Sequence, residues 1–241
     1  MSIYRSYFKK NNTLISDNQT NNSQNPVTEI SYGTLTPQVS RFIFQLDLEP
    51  LQQRIEQGII NPSHITKHVL HLTNTIRYDE SLVGRKSYDG VTQRASSFQL
   101  ELFNLTEDWD EGSGYEFIYN ENEILTVPFG ASNWYDRKTD ILWAQDGAYS
   151  SGSSLILGNQ LFEVGNEDVN IDITDYVNAQ LGLLTGVTAT TITGLTASTG
   201  MGLKFTDFYE QMETLYRQAV AFFARKTHTF FEPYVETTYD D

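Results

Sequence analysis

The sequence contains no cysteine, which excludes disulfide bridges and thiolate chemistry. Long apolar runs are also missing, since none approaches the roughly 20 residues that a membrane-spanning helix needs. The first residues, MSIYRSYFKKNNTLIS, have neither the apolar core nor the small-residue cleavage site of a signal peptide. These absences predict a soluble protein that is made in the cytoplasm and has no contact with a membrane.

Basic residues are few in this chain. Its 241 residues include 16 Lys and Arg against 31 Asp and Glu, which gives a formal net charge of −15. Nucleic acids and anionic membranes are bound by clustered Lys and Arg, so this balance argues against both as partners. Aromatic residues are plentiful instead, and the 14 Tyr and 14 Phe favour strands and interfaces over helices.

Sequence motifs that carry catalysis are not found. There is no G-x-S-x-G turn, no P-loop and no G-x-G-x-x-G after a strand. One candidate for chemistry is DWDEGSGYEF, residues 108–117, where acids surround a tryptophan. The acids of this region are Glu107, Asp108, Asp110 and Glu111. We predict no catalytic residue and no cofactor.

The acidic stretch has three interpretations. A glycosidase needs two carboxyl groups about 5–10 Å apart across a cleft, and neighbouring acids in one loop seldom face each other. A calcium site suits acidic oxygen ligands, but the spacing does not match an EF-hand. The favoured interpretation is a structural corner in which Trp109 is buried and Gly112 and Gly114 allow a tight turn. The acids would then face water or a neighbouring subunit.

Three histidines raise the question of a zinc site. His64, His68 and His71 would share one face of a helix, which is an arrangement that binds zinc. Their segment continues as HVLHLTNT, which is rich in β-formers, and on a strand His68 and His71 point to opposite sides. The Glu that follows the first His in metalloproteases is also missing. We therefore predict surface and interface histidines and no metal site.

Alternating apolar residues predict an all-β fold. VSRFIFQLDL (39–48) and RASSFQLELFNLT (94–106) alternate as sandwich strands do, and DVNIDITDYVNAQL (168–181) continues into a short helix that Thr174 would cap. The polar residues 78–93 predict a long end loop. Together these signals predict a jelly-roll β-sandwich with long end loops and one short helix, Thr174–Leu181. The residues expected between the sheets are Phe42, Phe44, Leu46, Leu70, Leu72, Phe98, Leu100, Leu102, Ile171 and Ile173.

Two polar segments define the expected domain organisation. Residues 1–31 are predicted to form an N-terminal strand and a flexible arm, because residues 16–31 contain almost no large apolar group. The sandwich is expected to occupy residues 32–241. An eight-residue unit occurs twice within residues 184–199, as LTGVTATT and then ITGLTAST. This insertion is interpreted either as an extended loop or hairpin, or as a projecting β-arm that pairs with the next subunit.

The order of these segments resembles the DNRLRE-type jelly-roll modules of cell-surface and carbohydrate-associated proteins. Those modules combine an Arg-containing strand, an apolar Leu-x-Leu strand, a Trp-x-Glu corner, an Asp-h-Thr segment and a final Pro-Tyr strand. The matching stretches here are Ser40–Leu48, Val69–Thr73, Trp109–Glu111, Val169–Val177 and Pro233–Val235. The resemblance covers most of residues 30–240 and implies the jelly-roll fold.

DNRLRE-type modules usually belong to secreted multidomain proteins, whereas this chain is expected to stand alone without a signal peptide. The stretches RASSFQLELFNLTEDWDEGSGY and FFARKTHTFFEPYVETTYDD are similar to virion structural proteins of tailed bacteriophages that use a similar sandwich. That resemblance implies a non-enzymatic tail, neck or collar ring component, with fibre attachment as a further role. Such a protein is made in the host cytoplasm and packs in the virion as a homo-oligomeric ring beside other virion proteins.

A glycan-binding module for host-surface adhesion is the alternative function. Jelly-roll modules bind sugars on a concave face or at loop tips, where Trp and Tyr stack on the sugar ring. Trp134, Tyr135 and Trp143 in NWYDRKTDILW are the candidate contacts for a glycan or a partner. The same residues also suit core and interface packing, and the sequence leaves both roles open.

Overall fold

The structure, a computed structural model, describes residues 1–16, 20–33, 39–76, 92–114, 131–186, 189–214 and 216–240. Strands account for 41% of the chain and helices for 15%, so the predicted all-β class is confirmed. The strands are β1 (Ser2–Ile15), β2 (Val27–Tyr32), β3 (Ser40–Leu46), β4 (Ile65–Leu72), β5 (Thr92–Arg94), β6 (Phe98–Leu105), β7 (Asp136–Lys138), β8 (Ile141–Leu142), β9 (Ile156–Phe162), β10 (Val169–Asp172), β11 (Gly200–Phe205), β12 (Arg217–Phe223) and β13 (Tyr234–Tyr239). The helices are α1 (Glu49–Glu56), α2 (Thr174–Gln180), α3 (Ala189–Thr196) and α4 (Asp207–Glu210). None of the helices in the described ranges is long and apolar enough to cross a membrane.

The long strand β1 belongs to two sheets. Its first residues pair with β13, from Ser2 opposite Tyr239 to Tyr7 opposite Tyr234, and its later residues pair with β3. The first sheet has the order β10-β4-β13-β1, and the second has the order β1-β3-β11-β6-β9. Eight strands in this order form the two Greek keys of a jelly roll, so the predicted sandwich is confirmed. At the far edges β9 and β10 are neighbours, which nearly closes the sheets into a barrel.

The ten residues predicted to lie between the sheets are all buried, and they belong to one large apolar cluster. Aromatic rings pack closely in this core. Phe8 stacks on Phe44 with ring centroids 4.4 Å apart, and Phe98 stacks on Phe162 at 4.6 Å. Every second residue of a strand faces the same side, so alternation in the sequence identified the inner face of each sheet.

The second sheet is covered on its outer face as well. Ile43 and Phe103 alternate with the inner residues of β3 and β6, and both are fully buried. They belong to a second apolar cluster, whose members are Leu14, Ile43, Phe103, Leu105, Trp109 and Trp143. We call this cluster the outer core. It is completed by the segments that follow β6 and precede β9, which lie across the sheet.

The predicted flexible arm is wrong for the part of residues 16–31 that the structure describes. Val27–Tyr32 is strand β2, which pairs with β12, so the expected domain boundary falls inside a strand. Asn22 and Ser23 are buried, and the Asn22 amide donates to Asn12 Oδ1 at 2.9 Å. A polar segment packs here because asparagine side chains provide the hydrogen-bond partners that water would otherwise supply.

Four α-helices occur in the described part of the chain, whereas one was predicted. Helix α2 lies at the predicted place, with Tyr176 and Val177 buried against the core. Thr174 is its first residue and not its cap. The Thr174 hydroxyl accepts from the His68 amide at 2.9 Å and donates to Asp172 Oδ1 at 2.6 Å, so it joins the helix to β4 and β10.

The doubled segment at residues 184–199 was predicted to be extended, but Ala189–Thr196 within it is helix α3. This part of the segment is therefore neither a hairpin nor a β-arm. Leu195 of α3 is buried in the main core, and the helix packs on α2. Threonine favours strands only weakly, and the burial of an apolar side chain on a helix outweighs such a preference. Residues 187–188 of the repeat lie outside the described part, as does most of the end loop predicted at 78–93.

Candidate functional site

The acidic corner begins after β6 and lies over the outer face of the second sheet. Trp109 is only 1% exposed and is part of the outer core. Lys10 lies above the indole, with Nζ 4.2 Å from the ring centroid, and donates to the Trp109 carbonyl. The indole N–H of Trp109 has no acceptor among the described residues. The corner is therefore anchored by a buried ring, and residues 115–117 of the stretch lie outside the described part.

The acids of the corner are bound by nearby cations. Lys138 donates to Asp108 at 2.5 Å, and this hydrogen bond holds the pKa of Asp108 below its usual value. Glu111 accepts from Arg225 Nη2 at 2.5 Å and from the Asn11 amide at 2.9 Å. Across the described ranges, no three His, Asp or Glu side chains are grouped to hold a metal ion. The acids that the sequence singled out thus take part in ion pairs that attach the corner to its surroundings.

Two glycines let the corner approach the N-terminal segment closely. Gly112 has φ of +77°, and a Cβ atom there would lie 2.1 Å from Ala131 Cβ. At Gly114 a Cβ would lie 2.0 Å from the Asn21 carbonyl oxygen, and the Gly114 amide donates to Asn21 Oδ1 at 2.9 Å. Asn21 Nδ2 also donates to the Glu111 carbonyl at 2.7 Å. Sequence reasoning found the glycines but missed the asparagine that they contact.

The three histidines do not meet. His64 is exposed ahead of β4, whereas His68 is fully buried with Nδ1 2.8 Å from Thr237 Oγ1. Burial lowers the pKa of His68 to about 4. His71 lies on the opposite face of the strand and stacks on Tyr234, with ring centroids 4.9 Å apart. The strand predicted here is confirmed, and it separates the side chains that a helix would have grouped.

A buried lysine lies at the centre of a charged cluster on the outer face of the second sheet. Lys204 is 0% exposed. Its ammonium nitrogen lies 2.9 Å from Glu101 Oε1, 2.7 Å from Asp207 Oδ1 and 3.4 Å from Glu210 Oε2. The nitrogen is also 4.1 Å from the centroid of the Tyr149 ring. We call this group, with Arg41, the Lys204 cluster.

Arg41 supplies the second cation of the Lys204 cluster. Its Nε and Nη2 donate to the two carboxylate oxygens of Glu210, at 3.0 and 2.8 Å. Its Nη1 donates to the Gly147 carbonyl at 3.0 Å, and its guanidinium carbon lies 4.9 Å from the centroid of the Trp134 ring. Sequence analysis missed this cluster. The only sequence signal was a lysine on a buried strand, followed by acids three and six residues later.

The environment of the Lys204 cluster shifts the pKa values of Tyr149 and Asp207 in opposite directions. Burial, with the carboxylates of Glu101 and Asp207, raises the pKa of Tyr149, whose phenol donates to Glu101 at 3.3 Å. Burial opposes the ionisation of Asp207, but hydrogen bonds from Lys204 and Ser151 outweigh it and lower the pKa of Asp207. The cluster holds α4 and the segment before β9 on the sheet.

The three aromatic residues predicted as glycan contacts have different environments. Trp143 is buried in the outer core, and its Nε1 donates to the Asn133 carbonyl at 2.9 Å. Trp134 is half-buried and faces the Arg41 guanidinium. Tyr135 is also half-buried, and its amide donates to Asn133 Oδ1 at 2.8 Å. The three rings do not form one exposed platform.

A cleft of about 320 Å³ opens beside the buried Trp143. We call it the Trp143 cleft. Asn104 lines it, is buried, and has a side-chain oxygen without a hydrogen-bond partner among the described residues. Glu107, also in the lining, accepts from the Ala144 amide at 3.2 Å. Tyr149 and several serines complete the wall, so the cleft offers an amide, a carboxylate, hydroxyls and aromatic edges to a ligand.

Comparisons with known proteins do not assign the chain to a family. No protein-family model matches the sequence, and a search of curated proteins returns no match.

Proposed function

We propose that this chain is a non-enzymatic structural protein of a tailed-bacteriophage virion, a tail, neck or collar ring component that packs beside copies of itself and other virion proteins. The sequence resemblance supports the virion assignment. The fold supports the role of a packing subunit, because the jelly roll has a second sheet with an apolar cluster on each face. Such a body changes shape little when it joins an assembly.

The observation that carries this proposal is the set of large apolar side chains left in solvent. The relative exposure is 103% for Phe230, 68% for Phe208, 67% for Leu142 and 59% for Leu161. One exposed apolar residue is ordinary, whereas several large ones favour contact with partners. Subunits with a net charge of −15 repel each other while free, and an assembly in which these side chains become buried overcomes that repulsion.

Localisation in the particle tests the proposal. Virions are purified from cells in which the chain is produced in its native setting, and their proteins are quantified by mass spectrometry. We expect the chain at a fixed copy number per particle, with immunogold label at the tail or neck. Flanking portal, tail-tube or sheath genes would give independent support. Washed particles that lack the chain would contradict the proposal.

Glycan binding is the second candidate function, and the Trp143 cleft is the observation that favours it. The volume of about 320 Å³ is at the lower end of the usual range for small-ligand sites and suits one sugar ring. The cleft places a carboxylate and an amide oxygen beside aromatic edges, which is the mixture of groups that binds sugar hydroxyls. Only Trp143 of the three predicted aromatic contacts lines this cleft.

Saturation-transfer NMR on a panel of monosaccharides tests the second candidate. Glu107→Gln keeps a side-chain acceptor for the Ala144 amide but removes the charge, and we expect it to weaken a specific sugar about tenfold. Glu163→Gln is the matched control, because Glu163 is exposed and does not line the Trp143 cleft. Equal signals from all sugars, or equal loss in both variants, would argue against a sugar site.

A further inference from the structure

Two surface features have complementary shapes. One is the loop between β12 and β13, residues 224–233, which we call the Phe230 loop. The other is a cleft of about 410 Å³ beside the edge strands β9 and β10, which we call the seam cleft. The loop presents an apolar knob, and the cleft is an apolar recess with carboxylates in its lining.

The Phe230 loop presents its aromatic tip to solvent. The side chain of Phe230 is 103% exposed, while the next residue, Phe231, stacks on Phe223 with ring centroids 5.0 Å apart. Thr227 is buried, and its hydroxyl lies 2.9 Å from the Thr229 hydroxyl. The loop is thus tied to the sheet by one phenylalanine and by threonines, and the other phenylalanine is left available for a partner.

The seam cleft lies where the edge strands β9 and β10 come together without a ladder. No ladder pairs β9 with β10 in the described part of the chain. The Gln160 side chain bridges them instead, donating to the Asp168 carbonyl at 2.8 Å and accepting from the Asn170 amide at 2.6 Å. Gly158 of β9 packs closely on Ile171 of β10, and the cleft lies beyond this contact. The apolar lining residues of the cleft are Leu155, Ile156, Leu157, Ile173, Tyr176 and Leu195.

One pair of charges beside the two features is opposite in sign. Lys226 precedes the knob and makes no ion pair with a described residue, while Glu232 follows the knob in the same loop. Asp175 lines the seam cleft and likewise has no partner in the described ranges. Asp172 also lines the cleft and lies 3.6 Å from Lys67, with both side chains about half exposed. Lys226 is therefore the residue of the loop that the carboxylates of the cleft attract.

A single chain does not fill its own cleft. Tyr234, which ends the Phe230 loop, pairs with His71, whereas Ile173 at the cleft donates to the carbonyl of His68. His71 and His68 are three residues apart on β4, which is about 10 Å along the strand. The Phe230 loop lies beyond His71, on the side away from the cleft. The exposure of Phe230 agrees with this separation.

We propose that Phe230 of one copy of this chain inserts into the seam cleft of a second copy, with Lys226 beside Asp175. The cleft has room for a benzyl group, and its apolar lining replaces the water around the ring. Knob and cleft are different surfaces, so each copy uses both, and the contact repeats head to tail, which is the arrangement found in a cyclic ring. The inference rests on the proposed function in one respect, namely that the subunit packs beside copies of itself.

The lack of cysteine allows a clean cross-linking test. The variant Lys226→Cys with Asp175→Cys places one thiol beside the knob and one at the cleft of the same chain, and it keeps Phe230 in place. We expect mild oxidation to link copies into a ladder of oligomers. The matched control is Lys226→Cys with Ile59→Cys, because Ile59 is 57% exposed and does not line the cleft. The control should give no such ladder.

Association in solution gives a second measurement. Sedimentation of the parent should show oligomers at high concentration, and Phe230→Ala should raise the dissociation constant about tenfold or more. Ile59→Ala, also at an exposed apolar residue, should leave it unchanged. A chain that stays monomeric at the highest attainable concentration, an oligomer insensitive to Phe230→Ala, or equal cross-linking in the control overturns the inference. The virion assignment fails separately, if washed particles lack the chain.

Discussion

Arg41 on β3 and Glu210 on α4 form a two-bond ion pair, although 169 residues separate them in the chain. Their side chains are only 10% and 9% exposed. Two buried charges in good geometry roughly offset their own desolvation, but either charge left alone is costly. The contact therefore makes the position of α4 on the second sheet sensitive to a single substitution.

The first prediction concerns this pair. Arg41→Met should lower the free energy of unfolding by about 3–5 kcal/mol, because Glu210 keeps its buried charge and loses its principal partner. Arg5→Met is the control, since the pair of Arg5 with Glu236 is 47% and 26% exposed and should contribute about 0–1 kcal/mol. Urea unfolding measures both. Similar losses of unfolding free energy in the two variants would show that burial does not increase the contribution of the Arg41 pair to stability.

The second prediction is a pH dependence from His68. Its pKa is about 4 in the folded protein and 6.5 for an ordinary histidine, so the unfolded chain takes up the proton first as the pH falls. Above pH 6.5 the neutral ring therefore contributes its full amount, about 3 kcal/mol, to the free energy of unfolding. This contribution is lost as the pH falls from 6.5 to 4. Unfolding free energies measured across this window should show the decrease.

Two histidine variants test the assignment of that slope. His68→Gln offers an amide to Thr237 and cannot take up a proton, so the decrease between pH 6.5 and 4.5 should become smaller. His64→Gln, at an exposed position, should retain it. A slope that persists in His68→Gln would assign the decrease to other groups.

The third prediction separates the ring of Trp109 from its N–H group. Trp109→Ala should cost about 3–5 kcal/mol, because it leaves a large cavity in the outer core. Trp109→Phe should cost clearly less, since it keeps an aromatic ring and removes a buried donor that has no partner among the described residues. Thermal and urea unfolding can rank the two. If both variants lose the same stability, ring packing is not what anchors the corner.

The fourth prediction concerns Gly112. Gly112→Ala should cost about 3 kcal/mol or more, since φ of +77° disfavours a side chain and its Cβ would overlap Ala131 Cβ. Gly58→Ala has a similar φ of +71° but open space around it, so it should cost only about 1–2 kcal/mol. Adding Ala131→Gly to Gly112→Ala should recover part of the loss. No recovery would mean that the overlap is relieved elsewhere.

The inner face of the sandwich could be predicted from the sequence alone. Alternation along a strand requires no knowledge of distant residues, because neighbouring side chains point to opposite sides wherever the strand lies. Phe42, Phe44 and Leu46 therefore appeared as core residues in the sequence and are buried in the structure. The same local rule placed His68 and His71 on opposite faces and argued correctly against grouping them.

The covering of the outer face could not be predicted in this way. Ile43 and Phe103 alternate with the core residues of their strands and therefore face away from the sandwich core, but they are buried by chain segments that come later in the sequence. Whether an outward side chain meets water or another segment depends on tertiary contacts. The same reason hid the buried environment of Trp143, which limits its use as a sugar platform.

Polar segments were the least predictable from composition. Asn22 and Ser23 belong to a stretch that reads as a flexible arm, because a polar sequence by itself buries too little apolar surface to become ordered. The sequence by itself determined which strand faces are apolar and hence the all-β sandwich. Only the tertiary structure decided which polar groups are buried, since Ser132 for Asn12, or Glu210 for Arg41, becomes a partner only when distant parts of the chain meet.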